Sequence, residues 1–174
     1  MVALAREEIS RLFHLLNDEL RQAGVRGQLH VAGGAVMCLA YNARPSTRDV
    51  DAVFEPSIAV LDAALRVAER EQLPDTWLNN AVKGYLSDTG TFNRFLDLDH
   101  LRVFVADANY MLAMKCLAFR TGEGYHDEAD VRHLVRHLDL RSYDEAARIL
   151  AAYYPFDRFP AHALAALREI LENR

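Results

Sequence analysis

The sequence predicts an α+β fold, with an α/β N-terminal lobe built on a small mixed sheet and a helical C-terminal lobe. Helical and strand-like apolar patterns alternate up to about residue 106, and only helical patterns follow. The chain has 174 residues, 51% hydrophobic and 26% charged, which is typical of one globular unit. We therefore divide it into lobes 1–106 and 107–174 and expect the second to pack on the first as one compact unit.

The N-terminal lobe begins with a predicted helix over residues 5–23, whose apolar side chains recur at the spacing of one helix face. Gly24 and Gly27 end this helix. A strand at 29–32 then runs into Gly33 and Gly34, and a helix follows at 35–41. The remaining predicted elements are a strand at 49–54, a helix with Pro56 in its first position and ending near 70, a helical turn around Trp77, and strands at 92–98 and 101–105.

The helical lobe contains four predicted helices. Asp107 caps the first, which runs to about residue 120, and the second covers 127–138. Ser142 and Glu145 have the S-x-x-E spacing of a capping box and start the third. Pro160 lies at the start of the fourth.

The glycine pair Gly33–Gly34 lies where a strand meets a helix. Backbone N–H groups at a helix start, together with the helix dipole, suit an anion such as a phosphate. Two glycines at such a junction are also common in ordinary tight turns. The pair is therefore a phosphate-binding candidate that needs a second feature beside it.

That second feature is the D-x-D pair, Asp49 and Asp51. On a strand, residues i and i+2 face the same side with Cα atoms roughly 6.5 Å apart. Two carboxylates placed together repel each other unless a cation lies between them, and Mg²⁺ accepts one or two protein carboxylates beside water and substrate phosphates. The alternative is a pair of solvated acids, or Asp49 paired with Arg44 or Arg48.

The order glycine pair, helix, loop and D-x-D strand resembles the nucleotidyltransferase superfamily, which has the DNA polymerase β-like fold. Three segments resemble one branch more narrowly: RPSTRDVD at 44–51, WLNNAVK at 77–83 and LAMK at 112–115. That branch is the bacterial AbiEii/MenT-like nucleotidyltransferases, several of which are toxins of toxin–antitoxin pairs. The resemblance covers roughly residues 28–158.

The resemblance implies transfer of a nucleoside monophosphate from an NTP to an acceptor hydroxyl. It implies that Asp49 and Asp51 hold Mg²⁺ or Mn²⁺. It supplies the tRNA 3′ end as a candidate acceptor and a cognate antitoxin as a candidate partner. Three alternatives stay open: transfer to a protein or small molecule, an inactive nucleotide-binding or interaction module, and a structural domain with an incidental D-x-D.

Further site residues follow from the same comparison. The phosphate-binding candidates are Gly33, Gly34, Arg44, Ser46, Thr47 and Arg48. Lys115 is one of only two lysines and lies in an apolar helix, so it either snorkels to the rim or points into a cleft. The resemblance implies that Lys115 contacts the triphosphate and that Asp130 is a further functional acid. The polymerase β pattern would instead use Asp97.

Charge and hydropathy restrict the partners. The net charge of −5 disfavours a broad cationic surface for nucleic acid. RNA binding would therefore need the arginines of the helical lobe on one face, and the candidates are Arg120, Arg132, Arg136 and Arg141. Cys38 and Cys116 lie in apolar runs, and no apolar stretch reaches the roughly 20 residues of a membrane span. We expect a cytoplasmic protein that does not enter a membrane.

Overall fold

A computed structural model describes residues 3–173, and this part of the chain contains seven α-helices and seven β-strands. The helices are α1 (Arg6–Gln22), α2 (Gly33–Leu39), α3 (Ser57–Glu71), α4 (Ala108–Leu117), α5 (Asp127–His137), α6 (Tyr143–Tyr153) and α7 (Ala161–Glu172). The strands are β1 (Leu4–Ala5), β2 (Gly27–Ala32), β3 (Ser46–Thr47), β4 (Val50–Glu55), β5 (Leu78–Asn79), β6 (Phe92–Asp97) and β7 (Leu101–Ala106). The predicted α+β class is confirmed, with a mixed sheet.

The chain divides into two compact units. The first contains the residues through Gly84 together with Phe92–Ala106, and the second contains Tyr85–Thr91 together with the residues from Asp107 onward. The segment Tyr85–Thr91, which the sequence places in the N-terminal lobe, thus belongs with the helices. The expectation that the two lobes pack as one compact unit stays a prediction.

The first unit is built on a five-stranded sheet with the order β5-β4-β2-β7-β6. Strand β2 lies at its centre, antiparallel to β4 and parallel to β7. Burial alternates along β4: Val50 and Ala52 are buried, whereas Asp51 is half-buried. A Cβ built on Gly27 would lie 2.8 Å from Leu20 of α1 and 3.1 Å from Val60 of α3, so these helices cover the sheet face that holds the core.

Side-chain hydrogen bonds tie helix α3 to its neighbours in this unit. The buried carboxylate of Glu19 on α1 accepts hydrogen bonds from Arg66 at 2.8 Å and Arg70 at 3.4 Å. The indole Nε1 of Trp77, which is 1% exposed, donates to the carbonyl of Ala64 at 2.9 Å. Trp77 immediately precedes β5, so this contact fixes the position of the sheet's edge strand.

The second unit packs α5, α6 and α7 against α4. The segment Tyr85–Thr91 belongs to this unit through its contacts with Tyr110 on α4 and Tyr153 on α6. The backbone N–H of Ser87 donates to the Tyr110 hydroxyl at 2.8 Å. Gly90 packs closely against the Tyr110 ring, since a Cβ at position 90 would lie 2.5 Å from the ring carbon Cε1.

Two predicted helix starts are confirmed. The Asp107 side chain accepts from the N–H of Tyr110 at 2.9 Å and caps α4. Ser142 and Glu145 form both hydrogen bonds of the capping box at the start of α6. Each cap satisfies a backbone N–H that the helix itself leaves without a partner.

Several predicted boundaries are wrong. Helix α2 begins at Gly33, two residues early, and Pro56 is the N-cap of α3 rather than its first helical residue. Helix α4 ends at Leu117 instead of near 120, because the N–H of Arg120 donates to the Asp127 carboxylate at 3.1 Å. The helical turn expected at Trp77 occurs later, as a 3₁₀ turn over Ala81–Tyr85.

Helix length and hydropathy bear on the membrane prediction. Among the described residues, no helix combines the length and the apolar character that crossing a bilayer requires. The longest helix, α1, has 17 residues and alternates buried apolar positions with charged ones. Its apolar face packs into the core of the first unit, where Leu12, Phe13 and Leu16 are fully buried.

Candidate functional site

The candidate residues form two clusters, one within each unit. We call the first the acid cradle: Gly33, Gly34, Arg44, Thr47, Asp49 and Asp51, all in the first unit. We call the second the buried ion cluster: Lys115, Arg120, Asp127 and Asp130, all in the second unit.

In the acid cradle, Gly33 and Asp51 lie against each other. The antiparallel pairing of β2 with β4 places Asp51 opposite Ala32, the residue before Gly33. Gly33 has φ +66°, a left-handed conformation that favours glycine. A Cβ built on Gly33 would lie only 2.8 Å from Asp51 Oδ2. Glycine is therefore required here both by the backbone conformation and by the close approach of the carboxylate.

Gly34 is equally crowded, but its neighbours are hydrogen-bond donors instead of a carboxylate. A Cβ at Gly34 would lie 2.5 Å from Thr47 Oγ1 and 2.9 Å from Arg44 Nη2. Thr47 is buried and lies on β3, which pairs with β1 through Leu4. A hydroxyl and a guanidinium thus lie directly over the backbone at the start of α2.

The structure also places the other two phosphate-binding candidates near this loop. Ser46 is half-buried and forms the second residue pair of the β1–β3 ladder, opposite Ala5. Arg48 is exposed, between β3 and β4. The structure therefore brings Arg44 and Thr47 onto the glycine pair, and it leaves Arg48 on the surface.

Asp49 and Asp51 lie on one face of the sheet, and Asn79 shows this. Asn79 is the register partner of Asp51 in the parallel β4–β5 pair, so the two side chains share a face. Its Nδ2 donates to Asp49 Oδ2 at 3.3 Å. Val50, between the two acids, is fully buried on the opposite face. Both carboxylates therefore belong to the face that the glycine pair borders.

The donor set of the acid cradle fits a hard divalent cation that takes part of its shell from a substrate. Within residues 3–173, no group of three or more His, Cys, Asp or Glu side chains is arranged to hold a metal ion. Zinc sites need three or four such ligands, whereas Mg²⁺ is held by one or two carboxylates plus water and phosphate oxygens. Two aspartates beside a hydroxyl and a guanidinium match the second pattern.

The buried ion cluster is centred on Lys115. Its Nζ lies 3.0 Å from Asp127 Oδ1 and 2.7 Å from Asp130 Oδ2. Arg120 Nε donates to the second oxygen of Asp127 at 3.0 Å. The exposed fractions are 8% for Lys115, 3% for Asp127 and 2% for Asp130, so these three charges are shielded from water, whereas the Arg120 side chain is exposed.

The cluster controls the charge of Asp127. Burial raises the pKa of this carboxyl, but the hydrogen bond from Arg120 and the charge of Lys115 lower it by more, so the pKa is below its ordinary value of 3.8. The hydrogen bond to Asp127 in turn raises the pKa of the Arg120 guanidinium. Asp127 is therefore ionised at neutral pH in spite of its burial.

Asp97, the alternative third acid, lies elsewhere on the sheet. It accepts from Arg94 at 3.3 Å and from Arg102 at 3.2 Å, with Arg26 at 3.5 Å. The strand registers put it about four residues along and three strands across from Asp51. At about 3.3 Å per residue and 4.8 Å per strand, that is on the order of 20 Å. Asp97 is too distant to share a cation with Asp51.

Most of the arginines proposed for RNA binding have acidic partners. Besides the pair of Arg120 with Asp127, Arg132 lies 3.1 Å from Glu128 and Arg141 lies 2.9 Å from Asp139. RNA binding by these arginines from one shared face stays a prediction.

Sequence reasoning missed two residues of these clusters. Asn79 was part of a recognised segment, but its role depends on pairing with a strand 28 positions earlier. Asp127 lies in the first turn of α5, where an acid ordinarily does no more than complement the helix dipole. The available signal was the buried lysine itself, since a charge in an apolar helix needs a carboxylate partner.

Comparisons with known proteins add no relative to this geometry. No family model matches the chain, and no curated protein or solved structure matches it significantly. The protein is therefore described by its own structural features. It has an α+β fold with a mixed sheet, paired aspartates beside a glycine pair, and a buried lysine held by two aspartates.

Proposed function

We propose that the protein is a Mg²⁺-dependent nucleotidyltransferase that moves a nucleoside monophosphate from an NTP to an acceptor hydroxyl. The observation that carries this proposal is the acid cradle, in which Asp49 and Asp51 share one sheet face and Asp51 lies against Gly33. The sequence resemblance to the AbiEii/MenT-like branch supports the same chemistry.

Asp49 and Asp51 would hold Mg²⁺, or Mn²⁺ in its place. Held by these residues, the ion would supply positive charge that offsets the negative charge developing on the pyrophosphate leaving group. The two aspartates, half-buried beside an apolar strand face, supply that ion with two negative charges.

The other side of the cradle would bind the phosphates. Glycine at positions 33 and 34 lets Asp51, Thr47 and Arg44 come close to the backbone at the start of α2, where the phosphates would bind. Thr47 Oγ1 would donate to a phosphate oxygen, and Arg44 would balance its charge. Ser46 and Arg48 are further candidates, although they are less closely associated with the glycine pair.

Lys115 and Asp130 enter the proposal through the resemblance. A lysine offers the triphosphate a compact positive charge, as the transfer step requires. Asp130 Oδ2, at 2.7 Å, fixes the position of that amine. Contact between Lys115 and the triphosphate is a prediction, and the transfer activity of Lys115→Met per folded molecule tests it.

The acceptor hydroxyl has two candidates. The resemblance favours the tRNA 3′ end, with the protein acting as the toxin of a toxin–antitoxin pair in the cytoplasm. The net charge of −5 and the ion pairs of Arg120, Arg132 and Arg141 favour a second candidate, transfer to a hydroxyl of a protein or small molecule.

The test is transfer of label from each of four NTPs, radiolabelled on the α-phosphate, to total tRNA or total protein, with Mg²⁺ or with EDTA. We expect Mg²⁺-dependent labelling by the wild type, and at least a 100-fold loss in Asp49→Ala and Asp51→Ala. Asp62→Ala is the matched control, since Asp62 is an exposed acid on α3. Equal labelling by Asp49→Ala and the wild type would overturn the mechanism, and the labelled fraction identifies the acceptor class.

A further inference from the structure

Asn79 occupies a fixed position beside the two aspartates. It lies on β5, a strand of only two residues, at the edge of the sheet. The strand is held by Trp77, whose carbonyl accepts from the N–H of Val50 at 2.7 Å and whose indole is anchored on α3. A rigid edge therefore presents the Asn79 side chain beside Asp51, its register partner.

The hydrogen bonds of Asn79 define which way its amide points. Its Oδ1 accepts from the N–H of Ala81 at 3.0 Å, and only an oxygen can accept from that donor. Its Nδ2 therefore faces the other way, donating to Asp49 Oδ2 at 3.3 Å and to the carbonyl of Thr76 at 3.4 Å. The amide links the acid cradle to the backbone on both sides of β5.

The neutral amide of Asn79 can hold a carboxylate of the Asp49–Asp51 pair in place without changing the charge of the pair. It restrains the rotation of Asp49 and stabilises the ionised carboxylate without cancelling its charge. A lysine or arginine at the same place would neutralise the pair and compete with a metal cation. An aspartate would add a third negative charge and remove the donor. An amide preserves the charge that a divalent cation needs.

We propose that Asn79 is a positioning residue that holds Asp49 beside Asp51 and thereby sets the affinity of this pair for a divalent cation. The inference rests on the proposed function, because it takes the two aspartates to be the cation ligands. Partners of this kind, which orient a ligand without touching the ion, typically change metal affinity by about 10–100-fold when they are removed.

The experiment measures Mn²⁺ binding to the full chain without nucleotide, from the electron paramagnetic resonance signal of unbound Mn²⁺, followed by displacement with Mg²⁺. We expect Asn79→Ala to weaken Mn²⁺ binding about 10-fold. We expect Asn79→Thr, which keeps a hydroxyl donor and suits a strand, to lose less. Asn80→Ala is the matched control, since Asn80 is the adjacent exposed asparagine, and it should bind as the wild type does.

The outcomes separate the two proposals. If the wild type and Asp49→Asn bind Mn²⁺ equally, the assignment of the cation ligands fails and the proposed function fails with it. If the wild type binds and Asp49→Asn does not, but both Asn79 variants match the wild type, only the role of Asn79 is overturned. Trp77 fluorescence shows whether β5 is in place in each variant.

Discussion

Replacing Lys115 by methionine tests how strongly the buried ion cluster stabilises the second unit. Methionine keeps the length and apolar character of the lysine stem, so the change removes the ammonium with little loss of packing. It leaves the carboxylates of Asp127 and Asp130, 3% and 2% exposed, without the cation that lies 3.0 and 2.7 Å from them. Asp127 keeps its contact with Arg120.

The expected loss is large. Removing one partner of a buried ion pair costs about 3–5 kcal/mol, since the remaining charge stays desolvated. For a chain of this length, each kcal/mol lowers Tm by about 2–4 °C, so Lys115→Met should melt about 6–20 °C below the wild type. Adding Asp130→Asn should recover part of the loss, because it removes one of the two buried negative charges that the ammonium faces.

Thermal unfolding followed by circular dichroism at pH 7 measures the effect, and Lys83→Met is the matched control. Lys83 is the other lysine of the chain and is exposed, so its replacement should change stability by about 0.5 kcal/mol at most. A melting temperature of Lys115→Met within 2 °C of the control would show that the cluster is not a structural support. Transfer activity per folded molecule then separates the stabilising role of Lys115 from a catalytic one.

Three further predictions follow from the same contacts. The fold lowers the pKa of Asp127, so as the pH falls the unfolded chain binds this proton before the folded chain does. The stabilisation from the ionised carboxylate is fully present above the unfolded pKa, about 3.8, and is lost as the pH falls through the folded pKa. Urea midpoints between pH 5 and pH 2 should therefore decline less steeply in Asp127→Asn than in the wild type. Ser142→Ala removes the side-chain acceptor for the N–H of Glu145 and should cost about 1 kcal/mol in urea unfolding, whereas an unchanged midpoint would show that the cap carries no energy. Gly33→Ala meets a φ of +66° and the Asp51 carboxylate, so it should cost about 1–2 kcal/mol in urea unfolding and also weaken Mn²⁺ binding; binding equal to the wild type would separate this glycine from the cation site.

The long elements were predictable because their signals are local. The apolar positions of α1 repeat within the helix, and the caps at Asp107 and Ser142 lie within three residues of the groups they satisfy. The two-residue strands were not predictable, because two residues carry no periodicity. Strand β1 exists only because Leu4 pairs with Thr47, 43 positions away.

The candidate site divides in the same way. The alternation around Val50 predicts which face Asp49 and Asp51 share, and the structure places them there. The partners of Lys115 were not predictable in full, because Asp127, in the first turn of α5, binds both the lysine on α4 and the N–H of Arg120. Tertiary contacts decide such partnerships, and no spacing in the sequence encodes them.

The excursion of Tyr85–Thr91 into the helical unit makes the two units interleaved along the chain. A fragment cut at residue 106 would carry this segment away from Tyr110 and Tyr153, whose hydroxyls bind Ser87 and Thr91. The remaining helices would expose the Tyr110 ring, against which Gly90 packs. Neither half is therefore a natural piece for separate expression, and recombination would have to exchange two stretches of chain together to keep either unit whole.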